Sequence, residues 1–339
     1  MRALITGGAG FIGSHLAEAL LAGGHQVSVI DDLSTGQIRN LQPLFEYSRF
    51  AFFNDRISNE VLMDRLVSEC DMIFHLAAAV GVELIIKSPV RVIETNVLGT
   101  NLVLRLANRN GKKVLLASTS EIYGKGKRQP LREDDDRVLG PTTTARWSYS
   151  ASKAVDEFLA LAYCREKGLE VVIFRLFNTI GPRQTGRYGM VVPRFVEQAL
   201  TGISITVYGD GKQTRCFCNV SDVVRAIIGL AGDSGAVGEV FNIGSEEELT
   251  ILEVAMLVRD LAGSDAEIAF IPYEKAYGEG FEDMRRRVPS IEKIRDLTGW
   301  KPTISLEETL GQIIEYHSDR SAVAFRETVQ EDAPRLSQQ

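Results

Sequence analysis

Tyr149 and Lys153, in the stretch "YSASK", lie four residues apart and therefore share one face of a helix. An ammonium group beside a phenol favours the phenolate and lowers its pKa, turning a tyrosine into a usable base near neutral pH. The spacing alone occurs by chance in many helices. It gains weight from "ASTSEIYG", thirty positions earlier, where Thr119 supplies a hydroxyl able to share the proton of an alcohol substrate.

A second constellation is "TGGAGFIG", with Gly7, Gly10 and Gly13 at three-residue spacing and Phe11 and Ile12 between the last two. Glycines here permit a tight turn and close approach of the backbone to a pyrophosphate, which sits where a helix N-terminus presents unpaired N–H groups. A glycine triplet is weak evidence by itself. This one follows an apolar run, opens a helical one, and is followed by Asp31 at the end of the next apolar run. A carboxylate at that place accepts hydrogen bonds from ribose hydroxyls and repels a 2′-phosphate, so the pattern predicts NAD rather than NADP. Asp55, in "FNDRI", suits an adenine amino group, and Asp32 suits the start of the following loop.

The third feature is "GEGFEDMRRRVPS", three consecutive arginines (Arg285, Arg286, Arg287) in a chain of net charge −7. Like-charge runs are usually solvated. In an acidic chain with no basic stripe, nucleic acid is not the expected partner, and an anionic ligand must be met by a local positive pocket.

These groups need elements to hold them. "RALIT", "QVSVIDD", "FAFFNDRI", "DMIFHLAA", "KKVLLAST" and "LEVVIFRLFN" read as strands, and the stretches between several of them carry helical periodicity. One long helix is expected over 88–111 and another over the Tyr149 segment. Alternation of this kind predicts an α/β fold, a Rossmann-like doubly wound parallel sheet. The rhythm loosens past the Gly-Pro step at 181–182. The expected organisation is a dinucleotide-binding domain over 1–180, a smaller mixed α/β substrate lobe over 181–317 interleaved with the last strands, and a polar segment over 318–339, read as a helix extension or a loose tail.

Composition bounds the rest. With 339 residues, 45% hydrophobic and 24% charged, the chain reads as globular and large enough for two lobes. No apolar run approaches the ~18 residues that span a bilayer, and "MRALITGGAG" enters a strand directly instead of reading as a signal peptide. Cys70, Cys164, Cys216 and Cys218 do not resemble a disulfide framework, and scattered histidines give no metal set. The expectation is a cytoplasmic protein with no metal and no membrane partner.

Taken together, these motifs resemble the extended short-chain dehydrogenases/reductases that act on nucleotide sugars, over roughly residues 1–316. The resemblance implies NAD as cofactor at Gly7, Gly10, Gly13 and Asp31, catalysis by Thr119, Tyr149 and Lys153, and a second role for Lys153 on the nicotinamide ribose. It further implies that Asn178 in "LFN" contacts the sugar or its diphosphate. "VVPRF" with Val192 and Arg194, and "ITVYGDG" with Tyr208, match the uracil-side wall, and Arg215 in "QTRCF" matches a diphosphate ligand. A homodimer through a four-helix bundle of the 88–110 and 149–167 helices is implied as well.

All such enzymes pass through a 4-keto sugar, and then diverge into 4-epimerases, 4,6-dehydratases and uronate decarboxylases. Glu121, in Thr-Ser-Glu, is shared by decarboxylases and some dehydratases. "YGEGFEDMRRRVPSI", with "RWSYSASK" and "GKQTRCF", resembles the uronate decarboxylases of lipid A modification and the UDP-apiose/xylose synthases. In those enzymes the arginine three residues before the Ser of this segment enters the active site, which implies Arg287, while Arg285 matches a phosphate-binding arginine of UDP-sugar epimerases. "HLAAAVGVELIIKSP" is instead epimerase-like. The best reading is a UDP-glucuronate decarboxylase yielding UDP-xylose or a UDP-4-keto-pentose; a UDP-glucose or UDP-glucuronate 4-epimerase is the alternative, and a 4,6-dehydratase comes third.

Overall fold

The apolar runs form strands and the periodic ones form helices. In order these are β1 (Arg2–Thr6), α1 (Phe11–Ala22), β2 (Gln26–Asp31), β3 (Phe50–Asn54), α2 (Glu60–Glu69), β4 (Met72–His75), α3 (Val82–Lys87), α4 (Pro89–Ile93), α5 (Gly99–Asn110), β5 (Lys113–Thr119), α6 (Trp147–Lys167) and β6 (Val171–Leu176). Then follow β7 (Thr179–Ile180), α7 (Val191–Thr201), β8 (Ile205–Tyr208), β9 (Thr214–Cys216), β10 (Cys218–Asn219), α8 (Val220–Gly232), β11 (Val240–Ile243), β12 (Glu248–Thr250), α9 (Ile251–Leu261), β13 (Ile268–Ile271), α10 (Tyr273–Tyr277), α11 (Glu292–Thr298) and α12 (Leu306–Asp332). The computed structural model describes residues 1–126, 128–186, 190–277 and 284–332, with the side chains of 82–83, 277 and 320–332 outside that description. Residues 278–283, the first part of the arginine-bearing stretch, lie outside the described residues.

Seven strands make one sheet in the order β11-β6-β5-β4-β1-β2-β3, and every neighbouring pair is parallel. A parallel sheet must be covered on both faces. On one face Leu16 and Leu20 of α1 and Val223, Ile227 and Leu230 of α8 pack on Ile5, Val29 and Phe174. On the other, Met63 and Leu66 of α2, Val103 and Leu106 of α5 and Ala160 of α6 pack on Leu4, Ile73, Leu116 and Ile173. Each such Leu or Ile contributes about 1.5–3 kcal/mol by leaving water. The chain order reverses between β1 and β4, and in such sheets ligands bind in the crevice beyond the strand C-termini at that switch point.

A smaller core, built on Phe195 and Val196 of α7, Val207 of β8, Val254 and Val258 of α9, and Leu310 and Ile313 of α12, stands beside the C-terminal edge. The chain crosses between the two cores repeatedly, because α8 and β11 return to the large sheet after α7–β10 has built part of the small lobe. One element differs from its simplest reading. The helix over 88–111 is α4 and α5 joined by a π-helical stretch, Glu94–Leu98. Its buried Asn96 accepts from the Ala79 amide at 2.9 Å and donates to the Ser152 hydroxyl at 3.2 Å, tying the loop after β4 to α6. The polar segment expected from 318 continues α12 as helix to Asp332.

Candidate active site

The glycine turn sits against the loop after β4. Gly7 has φ +72°, and a Cβ there would lie 2.8 Å from the backbone of Ala77; a Cβ at Gly13 would lie 2.4 Å from the Gly7 carbonyl. Both positions therefore require glycine. Gly10 caps α1 without any side-chain hydrogen bond, so the first N–H groups of the helix remain available to an anion. Asp31, at the C-terminus of β2, accepts the amides of Ala9 at 3.0 Å and Leu33 at 2.9 Å. Burial raises its carboxyl pKa, and these two amides pull it back. Gly7, Gly10, Phe11, Ile12, Gly13, Asp31, Asp55 and Lys153 all line one cleft of about 1390 Å³. A turn that a Cβ would fill, an uncapped helix N-terminus and an oriented carboxylate fit a dinucleotide.

A second cavity of about 270 Å³ opens toward the small lobe. Thr119, Tyr149 and Asn178 line both cavities, which places them at the junction. Thr119 ends β5, Tyr149 faces it from α6, and Asn178 follows β6, so the C-terminal edges of neighbouring strands deliver this group. The expected phenolate is corrected here. Burial, then the Glu121 carboxylate, pushes the Tyr149 phenol well above its ordinary pKa, and a hydrogen bond with Thr119 only partly opposes them. Lys153 donates to Asp156 Oδ2 at 2.8 Å with both side chains buried, so its charge is already neutralised.

Glu121 anchors the wall beside Tyr149. Arg287 Nη1 donates to its Oε1, and Arg146 Nη2 to its Oε2 at 3.2 Å. Burial raises the Glu121 pKa, but Arg287 and then Arg146 overcome it and hold the carboxyl down at about 2. A depressed carboxylate stabilises the fold above its unfolded pKa of about 4.5 and loses that contribution as pH falls toward 2. Glu121→Gln should therefore flatten the decline of urea-unfolding stability between pH 5 and 3 relative to the parent protein; an unchanged slope would contradict this assignment.

Arg287 Nη2 also donates to Asn178 Oδ1 at 2.9 Å, and Asn178 donates to the Cys216 carbonyl at 2.8 Å. Arg287 Nε, buried, has no hydrogen-bond partner among the described residues. Arg215, also buried, donates to the carbonyls of Thr214 and Met284, both at 2.8 Å. Arg194 stacks over the Tyr208 ring at 3.9 Å from its centroid, and both line the smaller cavity.

Two expected positions fall elsewhere. Val192 is fully buried in the small-lobe core with Phe195, Val196 and Ala199, and Val191 and Arg194, on another face of α7, meet the cavity instead. Arg285 is exposed and absent from the cavity lining; its backbone carbonyl accepts the Thr214 amide at 2.9 Å. Arg286 also points outward and forms a two-pronged pair with Glu248, both bonds 2.7 Å. Arg146 is the notable residue that pattern reasoning passed over. It sits beside Trp147 in a stretch singled out for its Tyr and Lys, and nothing in the sequence marks it as buried against Glu121.

No helix among the described residues is long and apolar enough to cross a membrane. Nor do the described residues hold a group of three or more His, Cys, Asp or Glu suited to a metal ion. The family model of GDP-mannose 4,6 dehydratase matches residues 4–313. The UDP-N-acetyl-alpha-D-glucosaminuronate decarboxylase of Bacillus cytotoxicus is 44% identical over 316 residues, covering 93% of this chain and 97% of that protein. UDP-glucuronic acid decarboxylase 1 of Danio rerio is 40% identical over 317 residues, covering 94% of this chain and 72% of that protein. Among solved structures, the UDP-glucuronic acid 4-epimerase of Bacillus cereus in complex with UDP-glucuronic acid and NAD is 29% identical, with a TM-score of 0.85 over 94% of this chain and 99% of that one. With a glycine turn and Asp31 at the sheet's switch point, and Thr119, Tyr149 and Lys153 where its strands end, this chain belongs to the GDP-mannose 4,6-dehydratase family of NAD-dependent extended short-chain dehydrogenases/reductases.

Proposed function

We propose that this chain is an NAD-dependent UDP-glucuronate decarboxylase that works through a 4-keto sugar and yields UDP-xylose or the UDP-4-keto-pentose. The observation that carries the reading is Arg287, buried in the wall of the smaller cavity, paired with Glu121 and bonded to Asn178 at the junction. A guanidinium matches a carboxylate with two parallel hydrogen bonds, and the relatives at 40–44% identity are decarboxylases of UDP-uronates. The UDP group is assigned to the small lobe, with Arg194 and Tyr208 beside the base and Arg215 with Asn178 on the diphosphate.

Gly7, Gly10, Gly13 and Asp31 would hold NAD in the larger cleft, where it would supply a hydride acceptor for carbon 4 and a hydride donor if the product leaves as the alcohol. The protein does the rest. Tyr149 takes the 4-hydroxyl proton, with Thr119 sharing that hydrogen bond. Its raised pKa means that Tyr149 becomes an effective base only when positive charge gathers at the junction, as Lys153 would bring on release from Asp156. Oxidation at carbon 4 makes the uronate a β-keto acid. The carbon 5–carbon 6 bond then breaks, its electron pair passes into the enolate, and carbon dioxide leaves. Carbon 5 takes a proton in return. Arg287 holds the carboxylate but is too weak an acid to donate that proton, and Glu121, held ionised by Arg287 and Arg146, has none to give, so the proton comes from a water that Glu121 orients.

The direct test supplies UDP-glucuronate labelled at carbon 6 and measures labelled carbon dioxide, with UDP-glucose as a control that yields none. UDP-N-acetylglucosaminuronate belongs in the same assay. The second reading, 4-epimerisation, is favoured by the likeness to a UDP-glucuronic acid 4-epimerase; it predicts UDP-galacturonate with carbon 6 retained.

Two further expectations attach to this reading. Asp31→Ala should weaken NAD by about 1–3 kcal/mol, the range for losing a charged hydrogen bond, measured by calorimetric titration; equal affinity of the parent protein for NADP would contradict the role. We also propose a homodimer through α4–α5 and α6. Leu98 and Phe158 are 61% and 59% exposed there, with Val90 and Val155 also exposed, and apolar groups gathered on two neighbouring helices suit a partner surface. Phe158→Glu should convert a dimer into a monomer in sedimentation velocity, while a monomeric parent protein would remove the assignment.

A further inference from the structure

The segment that carries Arg287 is held by its backbone. Arg215 takes the Met284 carbonyl, the Thr214 amide takes the Arg285 carbonyl, and the Leu131 peptide brackets Val288 and Ser290 with hydrogen bonds of 2.8 Å each. The two peptide groups that flank Arg287 are both met by one side chain. Gln129 Nε2 donates to the Arg286 carbonyl at 3.2 Å, and its Oε1 accepts the Val288 amide at 3.0 Å. Gln129 is absent from the lining of both cavities. Both of its polar atoms are thus spent on the backbone either side of Arg287, whose guanidinium reaches inward to Glu121 and Asn178.

We propose that Gln129 is a positioning residue for Arg287, setting the placement of its guanidinium and through it the handling of the sugar's carboxylate. The proposal rests on the decarboxylase reading for the identity of that group. A primary amide suits the task because it donates and accepts at once, matching a peptide carbonyl and a peptide amide two residues apart. A guanidinium on a long side chain has many rotamers, and pinning the backbone at its root restricts where it can reach. Sub-ångström placement of such groups governs rate.

The test is a double-mutant cycle on decarboxylation of UDP-glucuronate. Gln129→Met keeps the volume and removes both hydrogen bonds. It should lower kcat at least tenfold, with UDP affinity and the thermal midpoint close to those of the parent protein. In an Arg287→Ala background the same change should cost no more than about twofold, because a residue acting through Arg287 has nothing left to position. Gln129→Asn, polar but too short to reach both peptides, should reproduce the selective loss if the methionine variant folds poorly. An unchanged kcat in both variants, or an equal loss with and without Arg287, would overturn the proposal. If the parent protein epimerises UDP-glucuronate instead, the decarboxylase reading fails, and the cycle run on that turnover still decides whether Gln129 acts through Arg287.

Discussion

Tyr149→Phe should bind UDP-sugar as tightly as the parent protein and lose turnover by about 10²–10⁴-fold, the usual contribution of a general base. The phenol lies where the two cavities meet, beside Thr119, and we propose that its hydroxyl takes the 4-hydroxyl proton. Replacing it by phenylalanine keeps the ring among Ala79, Ile85 and Val92, so the loss is chemical and not a matter of packing. The signature is a missing hydride transfer: absorbance of the reduced cofactor should fail to appear on mixing with UDP-glucuronate, while calorimetric affinity for UDP stays unchanged. The raised pKa of this phenol gives the pH profile its sign. Activity should fall as pH drops below the value that Tyr149 takes in the loaded enzyme. Lys153→Ala should move that limb to higher pH and weaken NAD as well. Turnover by Tyr149→Phe within tenfold of the parent protein would mean that another group takes the proton.

Arg287→Ala should lower decarboxylation about a hundredfold or more, leaving a measurable residue, while sparing the oxidation of a substrate without a carboxylate. The variant leaves the partly buried Glu121 with only Arg146 as a close guanidinium partner, and breaking one partner of a buried pair costs up to about 3–5 kcal/mol. Stability must therefore be followed beside activity. Arg287→Lys keeps the charge but not the two-pronged geometry, and it too should lose most decarboxylation. Arg286 gives the control. Its pair with Glu248 is largely solvent-exposed on the arginine side, and surface pairs of this kind contribute about 0–1 kcal/mol, so Arg286→Ala should keep full turnover. Loss confined to the uronate supports a carboxylate ligand; equal loss on UDP-glucose makes Arg287 a diphosphate ligand instead.

The parts of this account that were legible in the sequence are those fixed by short-range chemistry. A glycine whose Cβ would strike the carbonyl of Gly7 six residues earlier, a carboxylate at the end of the following strand and a Tyr/Lys pair on one helical face are each specified by neighbours in sequence. The parallel sheet follows from the alternation of strands and helices in the same way. What failed to be legible depends on rotation and long-range pairing. Val191 and Val192 are adjacent valines, and only the packing of α7 on the small-lobe core decides which one faces the cavity. Arg285, Arg286 and Arg287 are identical letters; anchors as distant in sequence as Gln129, Thr214 and Glu248 send one inward and two outward. The pKa of Tyr149 reverses its expected direction because burial and then the Glu121 carboxylate raise it, while the Lys153 ammonium that spacing alone had assigned to the phenol is paired with Asp156 one turn on.

In the proposed reaction carbon 6 leaves as carbon dioxide and carbon 5 takes a solvent proton. Proton NMR of the purified protein with NAD and UDP-glucuronate in deuterated water tests both halves at once. Decarboxylation should give loss of the uronate signals and growth of a UDP-pentose carrying one deuterium at carbon 5, either as UDP-xylose or as its 4-keto form. Growth of UDP-galacturonate, with six sugar carbons and an unexchanged proton at carbon 5, would contradict it.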